Sequence, residues 1–157
     1  MAIIPAVVTD VGREYLGKYL GGLVAFETLV QFKYGEGGWI DPGGGPVPRT
    51  PDPTLTDIDA ILDPLRPVPS QRYPATSWAS YAKLFIGGDI TFVAPNTIRC
   101  RCFLDLAEFN DDGYGNSPEV WELGVFDSGG RMIGYGTFPI QIKDNTKVLD
   151  NTMIFTF

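Results

Sequence analysis

The sequence predicts a mainly β protein: an antiparallel β-sandwich-like domain with an N-terminal helix and a long proline- and glycine-rich arm. Three observations carry this expectation. Apolar and polar residues alternate in several short segments, at the period of two that a half-buried strand requires. Two strand-like runs, Val120 to Phe126 and Arg131 to Phe138, flank Asp127-Ser128-Gly129-Gly130, the spacing and turn chemistry of a β-hairpin. Nine of the 13 prolines crowd between Pro42 and Pro74, so that stretch cannot contribute regular strands to a core.

Taken in chain order, Asp10 to Leu23 reads as a helix. Thr9 or Asp10 serves as N-cap, Val11, Tyr15, Tyr19 and Leu23 recur at helical spacing, and Gly21-Gly22 weakens its end. Phe26 to Tyr34 then alternates, with Phe26, Thr28, Val30, Phe32 and Tyr34 on one face and Glu27, Gln31 and Lys33 on the other. The arm runs from Trp39 to Ser77, inserted in one domain that spans 1–157. Its one short helix is Asp57 to Leu62, capped by Thr56 and stopped before Pro64. A segment this long without regular structure is expected to be functional or disordered. Its apolar residues Trp39, Ile40, Leu55, Ile58, Ile61, Leu62 and Leu65 favour function, as an arm lying on its own surface or a neighbour's, and Trp39 to Ser77 is expected to be ordered only when it packs on another chain.

Beyond Trp78 the β pattern returns. Lys83 to Ile86 and Ile90 to Val93 flank Gly87-Gly88-Asp89, a second hairpin candidate. In Thr97 to Leu106, Ile98, Cys100, Cys102, Leu104 and Leu106 are expected to face inward, with Arg99, Arg101 and Asp105 outward. A polar loop, Asn110 to Pro118, precedes the Asp127 hairpin, and a last strand, Val148 to Phe157, sets Met153, Phe155 and Phe157 on one side. Gly124, Gly134 and Gly136 stand inside hairpin strands, where glycine usually marks a bulge or the close approach of another backbone, and three of them suggest strands built to be crossed by a neighbour.

Composition narrows the function classes. A net charge of −7 and a pI near 4.4, with only 12 scattered basic residues, argue against a nucleic-acid partner. No stretch approaches the about 20 apolar residues of a membrane span, so no membrane insertion is expected. Met1 to Val8 lacks the basic leader of a signal peptide, which sets the expectation of a protein made and kept in the cytosol or assembled there into something larger. The absence of histidine removes Ser-His-Asp and Cys-His catalysis and imidazole metal ligation. Cys100 and Cys102 point to one face of a strand and read as buried reduced thiols.

Candidate chemistry is sparse. Gly12 to Tyr19, GREYLGKY, nearly fits a phosphate-binding loop, but Tyr19 replaces the hydroxyl that would hold magnesium, and the segment suits an amphipathic helix better. Asn110 to Asn116 offers calcium-type oxygens out of EF-hand register and reads as a plain loop. Asp105/Glu108 and Glu119/Glu122 could pair as acid and base. Glu122, between Trp121 and Leu123, is expected to face solvent or a partner. No catalytic residue, cofactor or metal is expected.

The hairpin Trp121 to Pro139, WELGVFDSGGRMIGYGTFP, resembles the end of the phage tail-collar fibre domain, through Glu122, Leu123, Gly124, Val125, Phe126, Asp127, Gly130, Ile133, Phe138 and Pro139. Phe32 to Gly38, FKYGEGG, is similar to the family's strand followed by a glycine-rich turn, and Val8 to Gly12 to its helix start. Lys143-Asp144 stands where the family has Lys-Pro, and no repetitive shaft follows before Phe157. The resemblance implies a fibre-attachment part without its fibre. That means a non-enzymatic structural protein of the virion tail or baseplate, assembled in the bacterial host cytoplasm. Its expected partners are copies of itself, as a trimer or hexamer, and other tail and baseplate proteins. Aromatic residues, strand glycines and an extended arm suit packing between chains. Trp39, Ile40, Leu55, Ile58, Trp121, Glu122, Gly124, Phe126 and Phe138 are the expected contact residues. The alternative is a β-sandwich carbohydrate-binding module that stacks sugars on Trp39, Trp78 or Trp121.

Overall fold

The computed structural model describes residues 2–24, 27–58, 80–94, 96–111 and 115–156. It is mainly β, with antiparallel sheets and one N-terminal helix among the described residues. The strands are β1 (Ala2–Pro5), β2 (Val7–Val8), β3 (Leu29–Gly35), β4 (Trp39–Ile40), β5 (Val47–Pro48), β6 (Ser80–Leu84), β7 (Ile90–Ala94), β8 (Thr97–Leu104), β9 (Glu119–Asp127), β10 (Met132–Ile142) and β11 (Leu149–Thr156). The helix, α1, is Asp10–Leu20, between β2 and β3.

One sheet has the order β1-β11-β8-β7, with β1 parallel to β11 and the other pairs antiparallel. The other has the order β2-β10-β9-β3-β6 and is antiparallel throughout; β4 and β5 form a small ribbon. The two large sheets share one core. Ile4, Cys100, Cys102, Leu104, Leu149, Met153 and Phe155 from the first meet Val8, Phe32, Tyr34, Leu123, Val125 and Phe138 from the second. The Tyr34 hydroxyl bridges the layers, donating to the Cys102 carbonyl at 2.7 Å and accepting from Asn151 Nδ2 at 2.9 Å. A buried hydroxyl satisfied in this way fixes sheet against sheet without leaving an orphaned polar atom.

The helix starts where its cap places it. Thr9 Oγ1 accepts from Gly12 N at 3.0 Å and donates to the Met132 carbonyl, tying the helix start to β10. It stops at Leu20 rather than Leu23, because Gly21 and Gly22 follow; Gly22 adopts φ +70. The side that packs is Gly12: a Cβ there would lie 2.9 Å from the Ile133 carbonyl oxygen. In the following strand Phe32 and Tyr34 are buried as their alternation predicts, while Phe26 lies outside the described residues.

The Asp127 hairpin forms as read. Asp127 Oδ1 accepts from Gly129 N and Arg131 N, both at 2.9 Å, and Gly130 takes φ +79. The second hairpin candidate does not form. β6 pairs with β3 and β7 with β8, so Gly87-Gly88-Asp89 carries the chain from one sheet to the other. The turn itself is present, with Ile86 N donating to Asp89 Oδ2 at 2.8 Å, but each strand finds a longer ladder elsewhere. Leu106 is also corrected: β8 ends at Leu104 and Leu106 is exposed. Phe109 reaches the core in its place, held at φ +50 with its ring stacked on Tyr81 at 5.5 Å.

The arm corrects a larger expectation. Residues 39–58 pack on their own domain, across the outer face of the five-stranded sheet. Arg49 N donates to the Gly38 carbonyl at 2.8 Å, Asp10 N to Pro53 O at 2.7 Å, and Thr137 Oγ1 to the Arg49 carbonyl. Leu55 and Ile58 are buried there with Phe126, Met132 and Tyr135. Prolines remove amide donors but leave carbonyls and apolar surface, so a proline-rich strap can cover a sheet without pairing as a strand. The rest of the arm, including most of the expected helix Asp57 to Leu62 together with Ile61, Leu62 and Leu65, lies outside the described residues.

Candidate functional site

The three segments that carry the family resemblance come together around β9. Gly35 of β3 is the cross-strand partner of Glu122, Thr9 and Gly12 lean on Met132 and Ile133, and β9 and β10 form the hairpin. Along β9 the side chains divide by parity. Leu123 and Val125 enter the core between the sheets, whereas Gly124 and Phe126 lie under Leu55 and Ile58.

Glu122 faces neither solvent nor a neighbour. It is fully buried, because residues 36–58 cover the side of the sheet that alternation left open. Its Oε2 accepts from the Tyr135 hydroxyl at 2.7 Å. Its room is made by glycines: a Cβ at Gly35 would come within 2.5 Å of Glu122 Oε1, and one at Gly38 within 2.6 Å of Glu122 Cβ. Beside it Glu36, also buried, accepts from Glu119 N at 2.8 Å, and Trp39 Nε1 donates to the Glu36 carbonyl at 3.1 Å. These buried carboxyl groups hold backbone and hydroxyl groups, which suits a scaffold whose interior polar atoms are hydrogen-bonded.

Seven of the nine expected contact residues, Leu55, Ile58, Trp121, Glu122, Gly124, Phe126 and Phe138, belong to the interior of the chain itself rather than to a gap between chains. Trp39 and Ile40 are half-buried. The physical reason is the strap, which lends the sheet a second core. Trp39 and Trp121 stand 6.1 Å apart, and Trp121 is buried, so it offers no open ring face; Trp78 lies outside the described residues.

The remaining sequence candidates are accounted for locally. Gly12 to Tyr19 is helical, and the Gly12 amide is engaged by Thr9. Glu108 pairs with Lys83 at 2.7 Å and accepts from Asp105 N at 2.7 Å. Burial pushes the Cys100 thiol up to about 12 and Cys102 well above its usual value, so both are neutral and unreactive at ordinary pH. Asn110 Oδ1 accepts from Lys143 Nζ at 2.6 Å, which ties its loop to the end of β10.

Two uncovered apolar regions escape a reading based on alternation. A groove of about 530 Å³ opens between α1 and the β7–β8 end of the sandwich, lined chiefly by Tyr15, Leu16, Leu29, Ile90, Phe92 and Ile98. Arg131 stacks 3.7 Å over the Tyr15 ring and is paired with Asp127 at 2.8 Å, fixing the helix against the hairpin turn beside it. The chain from β6 to β7 also exposes Leu84, Ile86, Phe92 and Val93. Alternation assigns half of each strand to the inside; the signal available was that Ile90 to Ala94, ITFVA, carries no charge on either face. The chain matches no protein-family model, no curated protein and no solved structure.

Proposed function

We propose that this chain is a non-enzymatic structural component of a bacteriophage tail, in the baseplate or fibre-attachment apparatus, acting through contacts with copies of itself and with other tail proteins. The observation that carries the reading is the convergence of the three resemblance segments on one scaffold, in which buried Glu122, Gly35 and Gly38 interlock. A motif whose members pack on one another keeps a fold, and a fold that leaves Leu84, Ile86, Phe92 and Val93 bare offers a surface for assembly.

The test is to purify tailed particles from lysates of cells that encode the chain and to label them with an antibody against it. Labelling confined to the tail, at constant stoichiometry through a density gradient, is the expected result. Particles without the chain, together with saturable binding of the isolated protein on a glycan array, would replace this reading with the carbohydrate-binding one.

A further inference from the structure

Lys143 is the one fully buried lysine among the described residues. Lys18, Lys33, Lys83 and Lys147 each pair with a carboxylate. Lys143 does not: its Nζ donates to Asn110 Oδ1 at 2.6 Å and to the Asp144 carbonyl at 2.9 Å, both neutral oxygens. A buried ammonium held only by neutral partners is a costly arrangement. The amide it faces is held in place. Asn110 Nδ2 donates to the Leu106 carbonyl at 2.6 Å, which turns the Oδ1 end toward Lys143. The preceding residue, Phe109, is the one non-glycine at positive φ among the described residues, and its buried ring is locked by stacking on Tyr81. Backbone strain of this kind persists where the surroundings fix a residue for a purpose. The lysine is fixed as well, through Lys143 N donating to the Pro118 carbonyl at 3.0 Å.

We propose that Lys143 and Asn110 join in an intramolecular amide, an isopeptide cross-link that the folded chain makes without a co-reactant. The neutral amine attacks Asn110 Cγ: the Nζ–Cγ bond forms and the carbonyl π pair moves to Oδ1. When the carbonyl re-forms, the Cγ–Nδ2 bond breaks, and Nδ2 takes up the proton that Nζ gives up and leaves as ammonia. Starting from the ammonium, the departing species is an ammonium ion, so atoms and charge balance. Burial favours the neutral, nucleophilic amine, against the opposing pull of Asp144, Glu108 and Asp105. Those carboxylates are the ones whose charge reaches Nζ, and they relay its proton. Contact between amine and carbonyl turns a bimolecular aminolysis into a unimolecular step. The product removes the buried charge, and ammonia departs from the exposed side, where Nδ2 meets Leu106. Near neutral pH most of the amine is protonated, so the freshly folded chain carries the hydrogen bond and the amide accumulates with time and rising pH. The bond ties the loop after β8 of the four-stranded sheet to the end of β10 in the five-stranded sheet. It stands apart from the tail reading, because both reacting groups lie in one chain.

The experiment is intact mass spectrometry of the full chain, denatured after incubation at neutral and at alkaline pH with reductant present, followed by tryptic mapping. The expected product is lighter than the sequence mass by one ammonia and forms faster at alkaline pH. Its digest contains a branched peptide that joins Cys102–Arg131 to Met132–Lys147, uncut at Lys143. Lys143→Arg and Asn110→Ala keep their full sequence mass under the same treatment. The reacted wild type melts at a higher temperature than the unreacted chain, since a cross-link narrows the unfolded ensemble. A wild type that retains its full mass after alkaline incubation overturns the proposal. So does loss of ammonia that persists in Lys143→Arg or yields only linear peptides, which would place a succinimide at Asn110-Asp111 instead. Should Lys143→Arg fail to fold, the branched peptide in the wild type and its absence from Asn110→Ala decide the matter.

Discussion

Glu122 shows how one residue's surroundings reverse its meaning: an acid on an apparently open strand face becomes a buried anchor once Gly35 and Gly38 leave room for it. Replacing its donor, Tyr135→Phe, leaves a buried carboxyl oxygen without that partner and is expected to cost about 1–3 kcal/mol, read from denaturant unfolding. Gly124 is crowded within its own chain. A Cβ there would sit 2.9 Å from both Ile58 Cγ2 and Met132 Sδ, so Gly124→Val should destabilise the monomer by about 1–3 kcal/mol through overpacking. A loss of assembly with an unchanged unfolding midpoint would contradict this. Lys143 is buried, with Nζ donating to Asn110 Oδ1 and to the Asp144 carbonyl at 2.9 Å. Burial pushes its ammonium below the ordinary 10.5, partly opposed by Asp144, Glu108 and Asp105. The folded chain thus holds this proton less tightly than the unfolded chain, and stability from this group rises as pH climbs through the interval just below 10.5. The stability difference between wild type and Lys143→Met should therefore move in favour of wild type toward alkaline pH. Denaturant curves at neutral and alkaline pH check the sign; a flat difference would rule it out.

At the scale of elements, the strap of residues 39–58 is the main addition to a plain sandwich. Leu55 and Ile58 form the lid of a second core over Phe126, Met132 and Tyr135. Leu55→Ala should cost about 2–5 kcal/mol, as for other buried leucines, and should do so in a monomer. Removal of Gly44 to Pro69 would uncover that core and lower the unfolding midpoint of the β domain. Limited proteolysis of the isolated chain decides between a strap and an arm that waits for a neighbour: protection across 46–58 fits the strap. The crossover at Gly87-Gly88-Asp89 has equal architectural weight, because it places two consecutive strands on the same side of different sheets. Leu84, Ile86, Phe92 and Val93 along this stretch remain exposed.

Across the whole molecule, protection should follow sheet position. β9, with partners on both sides and cover on both faces, is expected to exchange its amide hydrogens slowest, and β1 and β7 fastest. The net charge of −7 gives the proposed assembling role its own test: screening weakens repulsion between copies, so for a self-associating chain raising salt should shift the solution mass upward.

The sequence by itself determined what depends on near neighbours. Thr9 caps α1, Asp127 and Gly130 shape the hairpin turn, and alternation buries Cys100, Cys102, Met153 and Phe155, because each choice is settled by a few adjacent dihedral angles and one side-chain period. Tertiary structure alone decided which strand β6 and β7 would pair with, whether Phe109 or Leu106 would reach the core, and that Glu122 and Gly124 would be covered. These outcomes turn on residues far apart in the chain: Gly35 and Glu122, Ile58 and Gly124, Tyr81 and Phe109. Alternation says that a strand has two faces, but only the rest of the fold says how many of them are dry.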